Sequence, residues 1–170
     1  MNNIVGLNPD FKVILMNVAM LVLIALVFLP VPYWLSNSNP NKLAASIATT
    51  LFVIIVLFVG YQLLSNKAVV KEGKLLMKSG VYSHEWVISS LHQEEGVSLE
   101  DFSRSNGIHI IHYSSGYYHK GQNKYFILRV SKRPLICFSS EGNIGLCIDE
   151  SIFEKIKGEL QGVEPQNNGI

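Results

Sequence analysis

The chain has 170 residues, of which 48% are hydrophobic, and a formal net charge of +1. This length suits one ordinary domain with appendages, and the near-zero charge excludes the general attraction to nucleic acid of a strongly basic protein. Hydrophobic residues are concentrated before residue 65 and charged residues after it, so the two parts predict different environments.

The first part opens with a short polar lead, residues 1–12, and continues into an apolar run, residues 13–35, without Asp, Glu, Lys, Arg or His. This run ends in prolines beside a Tyr-Trp pair, which is typical of a helix that ends at a membrane interface. The run is longer than the apolar region of a signal peptide, the lead is barely basic, and no small-x-small cleavage site follows. A retained membrane helix is therefore favoured over a cleaved signal peptide. The residues concerned are Pro30, Pro32, Tyr33 and Trp34.

A second apolar run, residues 43–64, also lacks ionisable acids and bases. As a helix it is about 33 Å long, which is enough to cross the hydrocarbon core of a bilayer. The seven residues between the runs, SNSNPNK, are too few to recross a membrane. The sequence therefore predicts an antiparallel two-helix transmembrane hairpin over residues 13–64.

The orientation of this hairpin follows from the lysines near its ends. The connecting turn has Lys42 alone, whereas four lysines follow the second helix. We therefore expect both termini in the cytoplasm, in a multi-pass protein of the cytoplasmic (inner) membrane. Neither helix carries a charge at mid-membrane, which argues against a stand-alone transporter. The four lysines are Lys67, Lys71, Lys74 and Lys78.

Residues 67–160 have the pattern of a mainly-β domain. Turn residues separate short apolar or alternating stretches. In the stretch at residues 81–88 the favoured inward face is Tyr82, His84, Trp86 and Ile88. A capping box, Ser151 with Glu154, opens an amphipathic helix. We predict a bent antiparallel sheet or barrel of six or seven strands capped by this helix, and a disordered tail at residues 161–170. The predicted strands are residues 68–70, 75–77, 81–88, 108–113, 125–131, 135–139 and 144–148.

Residues 67–91, KAVVKEGKLLMKSGVYSHEWVISSL, resemble the opening two strands of bacterial pleckstrin-homology-like (PH-like) domains. Residues 104–107, RSNG, resemble an Arg-Thr-Asn-Gly element, and residues 116–118 resemble a later Gly-x-Phe. The likeness covers about residues 67–160, with departures at Val87 and at residues 110–111. It implies a PH-like fold and a binding or assembly module, which in this group is often joined to membrane helices.

Catalytic and metal-binding patterns are absent from the sequence. There is no Gly-x-Ser-x-Gly, Ser-His-Asp order or phosphate-binding glycine loop, and the acid pairs at residues 94–95 and 100–101 have the pattern of solvated loop residues. Two of the histidines are three apart in a predicted strand and so face opposite ways, and none has metal-ligand spacing. We therefore expect no enzyme and no cofactor. The histidines are His84, His92, His109, His112 and His119.

The two cysteines, Cys137 and Cys147, form no Cys-x-x-Cys pair, so a zinc site or redox motif has little support. If the domain is cytoplasmic, we expect both to be reduced core residues.

Three groups of residues are candidates for binding. Arg104 with Asn106 either contacts an anion or a partner, or only braces an Asn-Gly turn, which is the favoured interpretation. A set of cations either contacts anionic lipid or only sets topology, and the same charges can do both. Four tyrosines either form an exposed protein-binding surface or, as favoured for about half of them, pack in the core. The cations are Lys67, Lys71, Lys74, Lys78, Lys132 and Arg133, and the tyrosines are Tyr113, Tyr117, Tyr118 and Tyr125.

Together these features predict a non-enzymatic bacterial inner-membrane protein that presents a PH-like domain at the cytoplasmic face. Its partners are expected to be the lipid bilayer and a protein or further copies of itself, not nucleic acid. Two alternatives stay open. One is a membrane immunity protein that neutralises a toxin, and the other is an accessory subunit of a larger membrane complex.

Overall fold

The computed structural model describes residues 3–28, 39–141 and 144–160. The aromatic-proline group at residues 30–34, residues 36–38 of the predicted turn and the predicted tail lie outside the described residues. In chain order the elements are β1 (Asn3–Gly6), α1 (Phe11–Phe28), α2 (Asn39–Leu64), β2 (Asn66–Lys71), β3 (Lys74–Ser79), β4 (Tyr82–Val87), a 3₁₀ turn (Ile88–Ser90), β5 (Leu91–Glu94), a second 3₁₀ turn (Leu99–Asp101), β6 (Ser103–Ile110), β7 (Tyr113–Lys120), β8 (Asn123–Arg129), β9 (Leu135–Ser140), β10 (Gly145–Asp149) and α3 (Glu150–Leu160).

Residues 13–28 of the first apolar run lie in α1 and the whole second run lies in α2, and the two helices pack against each other. Within α2, Ser46–Leu64 is long and apolar enough to cross a membrane, and most of its side chains are exposed rather than packed against protein. The described part of α1 includes the shorter apolar helix Phe11–Ala25. The predicted helix at residues 43–64 is therefore confirmed, and it begins earlier, at Asn39.

The first sheet joins the chain on both sides of the helix pair. Its strand order is β1-β2-β3-β4, and all pairs are antiparallel. Strand β1 precedes α1 and β2 follows α2, and they pair in the register Asn3↔Val70 to Gly6↔Lys67. The backbone N–H of Leu7 extends this pairing by donating to the carbonyl of Asn66 at 2.9 Å. The start of α1 and the end of α2 are thus held at the same end of the helix pair.

The second sheet has the order β5-β9-β10-β8-β7-β6. Strand β10 is parallel to β8, and the other neighbours are antiparallel. The prediction of a mainly-β domain that ends in a helix is confirmed. The prediction of six or seven strands in one antiparallel sheet or barrel is wrong, because the described residues form ten strands in two open sheets. The additional strands are β1, β5 and β7.

The main core lies between the inward faces of the two sheets, with α3 and the domain-proximal ends of α1 and α2 packed against its edges. Trp86 and Ile88 are buried, as the alternation predicted, and the Trp86 ring contacts the Phe126 ring edge-to-face at 5.7 Å. Helix α3 buries Ile152 and Ile156 in the same core, which confirms its predicted apolar stripe.

The start of α3 differs from the predicted capping box. The buried carboxylate of Asp149 caps the helix, since its Oδ1 accepts from the N–H of Ile152 at 3.1 Å. Its Oδ2 accepts from the N–H groups of Val130 and Ser131 at 2.5 and 2.9 Å. Asp149 satisfies donors from two segments at once, and Ser151, the predicted cap, instead donates to Asp149.

Candidate membrane-facing binding site

The end of helix α2 is capped by side chains of the β-domain. The last carbonyls of a helix have no partner within the helix. Here the hydroxyl of Tyr113 donates to the carbonyl of Gln62 at 2.7 Å, and the side-chain amide of Asn66 donates to the carbonyl of Leu63 at 2.6 Å. Ser65 alone separates α2 from β2, so the apolar helix passes into the sheet without a flexible linker.

A buried polar network extends from this cap into both sheets. Ser79 at the end of β3 donates to Oδ1 of Asn66 at 2.5 Å, and Ser115 of β7 donates to Ser79 at 2.5 Å. Both serines, like Tyr113, are fully buried. Burial raises the pKa of Tyr113, against the opposing effect of its hydrogen bonds to Ser79, Ser115 and Asn66, so the hydroxyl stays neutral.

Gln62 of α2 also contributes to the junction, which is the contact between the end of α2 and the two sheets. Its buried amide lies against the β3–β4 turn, where it donates to the carbonyl of Ser79 at 3.2 Å and accepts from the N–H of Val81 at 3.3 Å. Gly80, with φ of +56°, makes this contact possible, because a β-carbon there would lie 1.8 Å from the nearest atom of the Gln62 amide group. Sequence reasoning missed this role, although a Gln at the end of an apolar run was its visible signal.

Helix α1 contacts the domain at the tip of the β6–β7 hairpin, defined here as Ile110, Ile111 and His112. The fully buried amide of Asn17 donates to the carbonyl of Ile111 at 3.0 Å and to that of Val13 at 2.8 Å. The hairpin tip therefore lies beside the second turn of α1, well past the start of that helix.

A groove of about 1260 Å³ opens next to this contact. It lies between α1, residues 97–102, the β6–β7 hairpin and the turn after β8. Its apolar lining includes Met20, Leu99, Phe102, Ile110, Ile111 and Leu135. Its charged lining is Arg104, Arg129, Arg133 and Glu100. Three guanidinium groups thus share the groove with one carboxylate.

The turn after β8 holds one of these cations firmly. The guanidinium of Arg129 donates to the carbonyls of Ser131 and Lys132 at 2.9 and 3.1 Å. Arg133 lies 3.7 Å from a carboxylate oxygen of Glu150, and both side chains are about half exposed. Desolvation first, and then the charges of Lys132 and Arg129, lower the pKa of His112, so the positive field of this turn reaches the hairpin tip.

The structure distributes the predicted lipid-contact cations over both sheets. Lys67 and Lys78 pair across β2 and β3 at the strand ends next to α2. Lys71 and Lys74 lie at the opposite end of that hairpin, where they form ion pairs of 3.4 Å with Glu72 and 3.0 Å with Glu85. Lys132 and Arg133 belong to the turn after β8, and Arg133 lines the groove.

Arg104 and Asn106 lie within strand β6, so the predicted Asn-Gly turn is wrong. The strand has a bulge between Arg104 and Asn106 and then pairs Gly107 with Gly116. Gly107 is needed for this close approach, because a β-carbon there would lie 2.7 Å from the carbonyl of Ser115. Arg104 lines the groove, whereas Asn106 accepts from the hydroxyl of Tyr82 at 3.3 Å.

The four tyrosines are mostly core residues, which is the interpretation that the sequence favoured for about half of them. Tyr113, Tyr118 and Tyr125 are at most 3% exposed. Tyr117 is half-buried, donates to the carbonyl of Ser83 at 2.8 Å and lies under the Lys124 ammonium at 4.5 Å. Tyr113 and Tyr117 thus connect the second sheet to the first, through Ser79 and Ser83. Tyr118 and Tyr125 instead pack in a separate cluster with the two cysteines.

The histidines lie on different elements, and among residues 3–28, 39–141 and 144–160 no three His, Cys, Asp or Glu side chains are grouped to hold a metal. His84 packs edge-to-face on Trp86 at 4.6 Å, and its pKa is lowered by desolvation and then by Lys124. His109 instead lies 2.7 Å from the hydroxyl of Ser114.

The expectation of reduced cysteines is wrong. Cys137 of β9 and Cys147 of β10 are directly opposite in neighbouring antiparallel strands and form a fully buried disulfide. Strand register brings together two residues that the sequence separates by ten positions.

Comparisons with protein-family models, with curated proteins and with solved structures found no match for this chain. The geometry of the junction and of the groove is therefore the basis for a functional conclusion.

Proposed function

We propose that this chain is a non-enzymatic bacterial inner-membrane protein whose two-helix hairpin presents a PH-like binding or assembly domain at the cytoplasmic membrane face. The observation that carries this proposal is the cap on α2. Tyr113 and Asn66 bind the last carbonyls of an apolar helix that enters the first sheet after one residue. A domain attached in this way stays beside the bilayer and acts there by contact.

The pairing of β1 with β2 supports the two-helix topology. These strands flank the helix pair and hydrogen-bond to each other, so they lie on one side of any membrane that the helices enter. If α2 crosses the bilayer, the chain between β1 and α2 has to cross it as well. The apolar helix α1 is the segment suited to that crossing.

Two observations bear on which side the domain occupies. The four lysines after α2, against one in the turn, favour the cytoplasm. The disulfide is the observation against that side, since disulfides are uncommon in the cytoplasm. Both sulfurs are fully buried, and a reductant needs access to attack a disulfide, so burial protects this one. We therefore place the domain in the cytoplasm, on the basis of the lysines.

A photo-crosslinking amino acid in living cells tests the contact function. We would place it at Val81 or Val87, which are 60% and 50% exposed on the domain, and, as a matched control, at Leu57, which is 67% exposed on α2. The proposal predicts a discrete protein adduct, or a dimer of this chain, from the domain positions and lipid adducts from Leu57. Absence of any protein adduct from the domain positions would contradict it.

A further inference from the structure

The groove beside α1 has two chemically different sides. Its apolar side includes Met20 of the helix together with Ile110 and Ile111 of the hairpin tip. Its polar side carries the guanidinium groups of Arg104 and Arg133. A ligand that suits both sides has an apolar chain and an anionic head.

The apolar side continues the surface of α1. Asn17 fixes the hairpin tip beside the helix, and Met20 is one turn further along. Between them the exposed side of α1 is apolar, with Val18 at 46% exposure, and Ile111 is itself 36% exposed. If α1 enters the bilayer, the hairpin tip lies at the level of the lipid headgroups.

The polar side is suited to a phosphate. Guanidinium groups bind phosphate oxygens through paired N–H donors, and they are more weakly hydrated than ammonium groups. Arg104 makes no ion pair with any residue that the structure describes, and the 3.7 Å contact of Arg133 with Glu150 is long and half exposed. Arg129, which the turn holds in place, adds a third positive charge against the single carboxylate of Glu100.

We propose that this groove binds one anionic phospholipid, with its phosphate between Arg104 and Arg133 and an acyl chain along Met20 and Ile111. The inference rests on the proposed function, because it requires α1 to lie in the membrane. It assigns the lipid contact to arginines at the groove rather than to the lysines that follow α2.

Lipid binding by the full-length protein in detergent tests this assignment. Native mass spectrometry with phosphatidylglycerol or phosphatidylcholine gives the bound fraction of each lipid. We expect the parent protein to bind phosphatidylglycerol at least ten-fold more tightly, and Arg104→Gln/Arg133→Gln to lose that preference. The control Lys67→Gln/Lys78→Gln removes the same number of positive charges from the first sheet. This control should retain the preference for phosphatidylglycerol. Equal binding of both lipids by the parent protein, or an unchanged preference in the arginine variant, would overturn the proposal.

Competition with the parent protein separates a lipid from a free phosphate and does not depend on the folding of any variant. Glycerol phosphate in hundred-fold excess should leave phosphatidylglycerol bound, because it lacks the chain. Displacement by glycerol phosphate would mean that the groove binds a soluble phosphate, and the lipid proposal would be wrong. If the parent protein shows no lipid preference while its domain lies at the inner membrane face, only this inference is contradicted. A different location of the domain would contradict the proposed function.

Discussion

The hydroxyl of Tyr113 in strand β7 donates a 2.7 Å hydrogen bond to the main-chain carbonyl of Gln62 in the last turn of α2. The two residues are 51 positions apart in the sequence, and both are fully buried. Because a helix cannot satisfy its own last carbonyls, this bond makes the apolar helix α2 and the β-domain one structural unit.

Removal of that hydroxyl should weaken the junction. In Tyr113→Phe the carbonyl of Gln62 stays buried without this donor, which costs about 1–3 kcal/mol of unfolding free energy. The matched control is Tyr117→Phe, whose hydroxyl bonds to a carbonyl at the exposed edge of β4 and should cost less. Thermal unfolding of the full chain in detergent measures both. Equal losses in the two variants would argue against a special role for the junction.

The contact between Gly80 and Gln62 gives a second prediction. Gly80→Ala adds a β-carbon at a positive φ and directly against the Gln62 amide. Gly121→Ala is the matched control, since Gly121 has φ of +61° but nothing within 4 Å of the added carbon. We expect about 1 kcal/mol of destabilisation from the backbone conformation in the control, and clearly more for Gly80→Ala. Thermal unfolding in detergent measures both variants. Equal losses of unfolding free energy would show that the contact with Gln62 is unimportant.

The stability of the domain should fall at high pH because of Tyr118. Burial is the largest cause that raises the pKa of Tyr118 to about 12, above the ordinary value of 10.0. The folded state thus favours the neutral phenol. This contribution is complete below the unfolded pKa near 10.0 and is lost as the pH rises through about 12. Ultraviolet titration of tyrosinate should show late ionisation of several buried tyrosines, since burial also raises the pKa of Tyr113. Tyr118→Phe should reduce the amplitude of the late part of the curve by one tyrosine, and an unchanged amplitude would contradict the assignment.

The disulfide predicts a specific alkylation pattern. Protein that is denatured without reductant should react with no thiol reagent. Protein that is reduced before the reagent is added should react with two equivalents of the reagent per chain, and the mass of the intact protein distinguishes the two results. Reduction should lower the unfolding free energy by about 2–4 kcal/mol, because it frees a short loop of the unfolded chain. Two free thiols in freshly isolated protein would show that the cysteines are reduced in the cell.

Local patterns predicted much of this fold. The apolar run of α2, the inward face that contains Trp86 and the apolar stripe of α3 are confirmed, because each depends on residues close in sequence. Turn residues also separate the first two predicted strands as expected, since Glu72 and Gly73 between them have φ values of +52° and +73°.

Contacts between distant segments could not be predicted in the same way. Strand β1 is four residues long, and its pairing with β2 depends on the helices between them. Gly107 looked like a turn residue, but it is required by the close approach of Gly116 in the neighbouring strand. The groove combines α1 with residues 97–135, so the sequence showed Arg104 and Arg133 without their shared surroundings.

The most direct test of the central claim is the labelling of single cysteines by a membrane-impermeant maleimide in intact and permeabilised cells. Asn8→Cys reports on the segment between β1 and α1, Ser89→Cys on the exposed surface of the domain, and Ser38→Cys on the predicted outer turn. The parent chain controls for the two buried native cysteines. The account predicts that Ser38→Cys is labelled in intact cells, and that Asn8→Cys and Ser89→Cys are labelled only after permeabilisation. Labelling of Ser89→Cys in intact cells would contradict the cytoplasmic location, and labelling of Asn8→Cys and Ser89→Cys from opposite sides would contradict the hairpin itself.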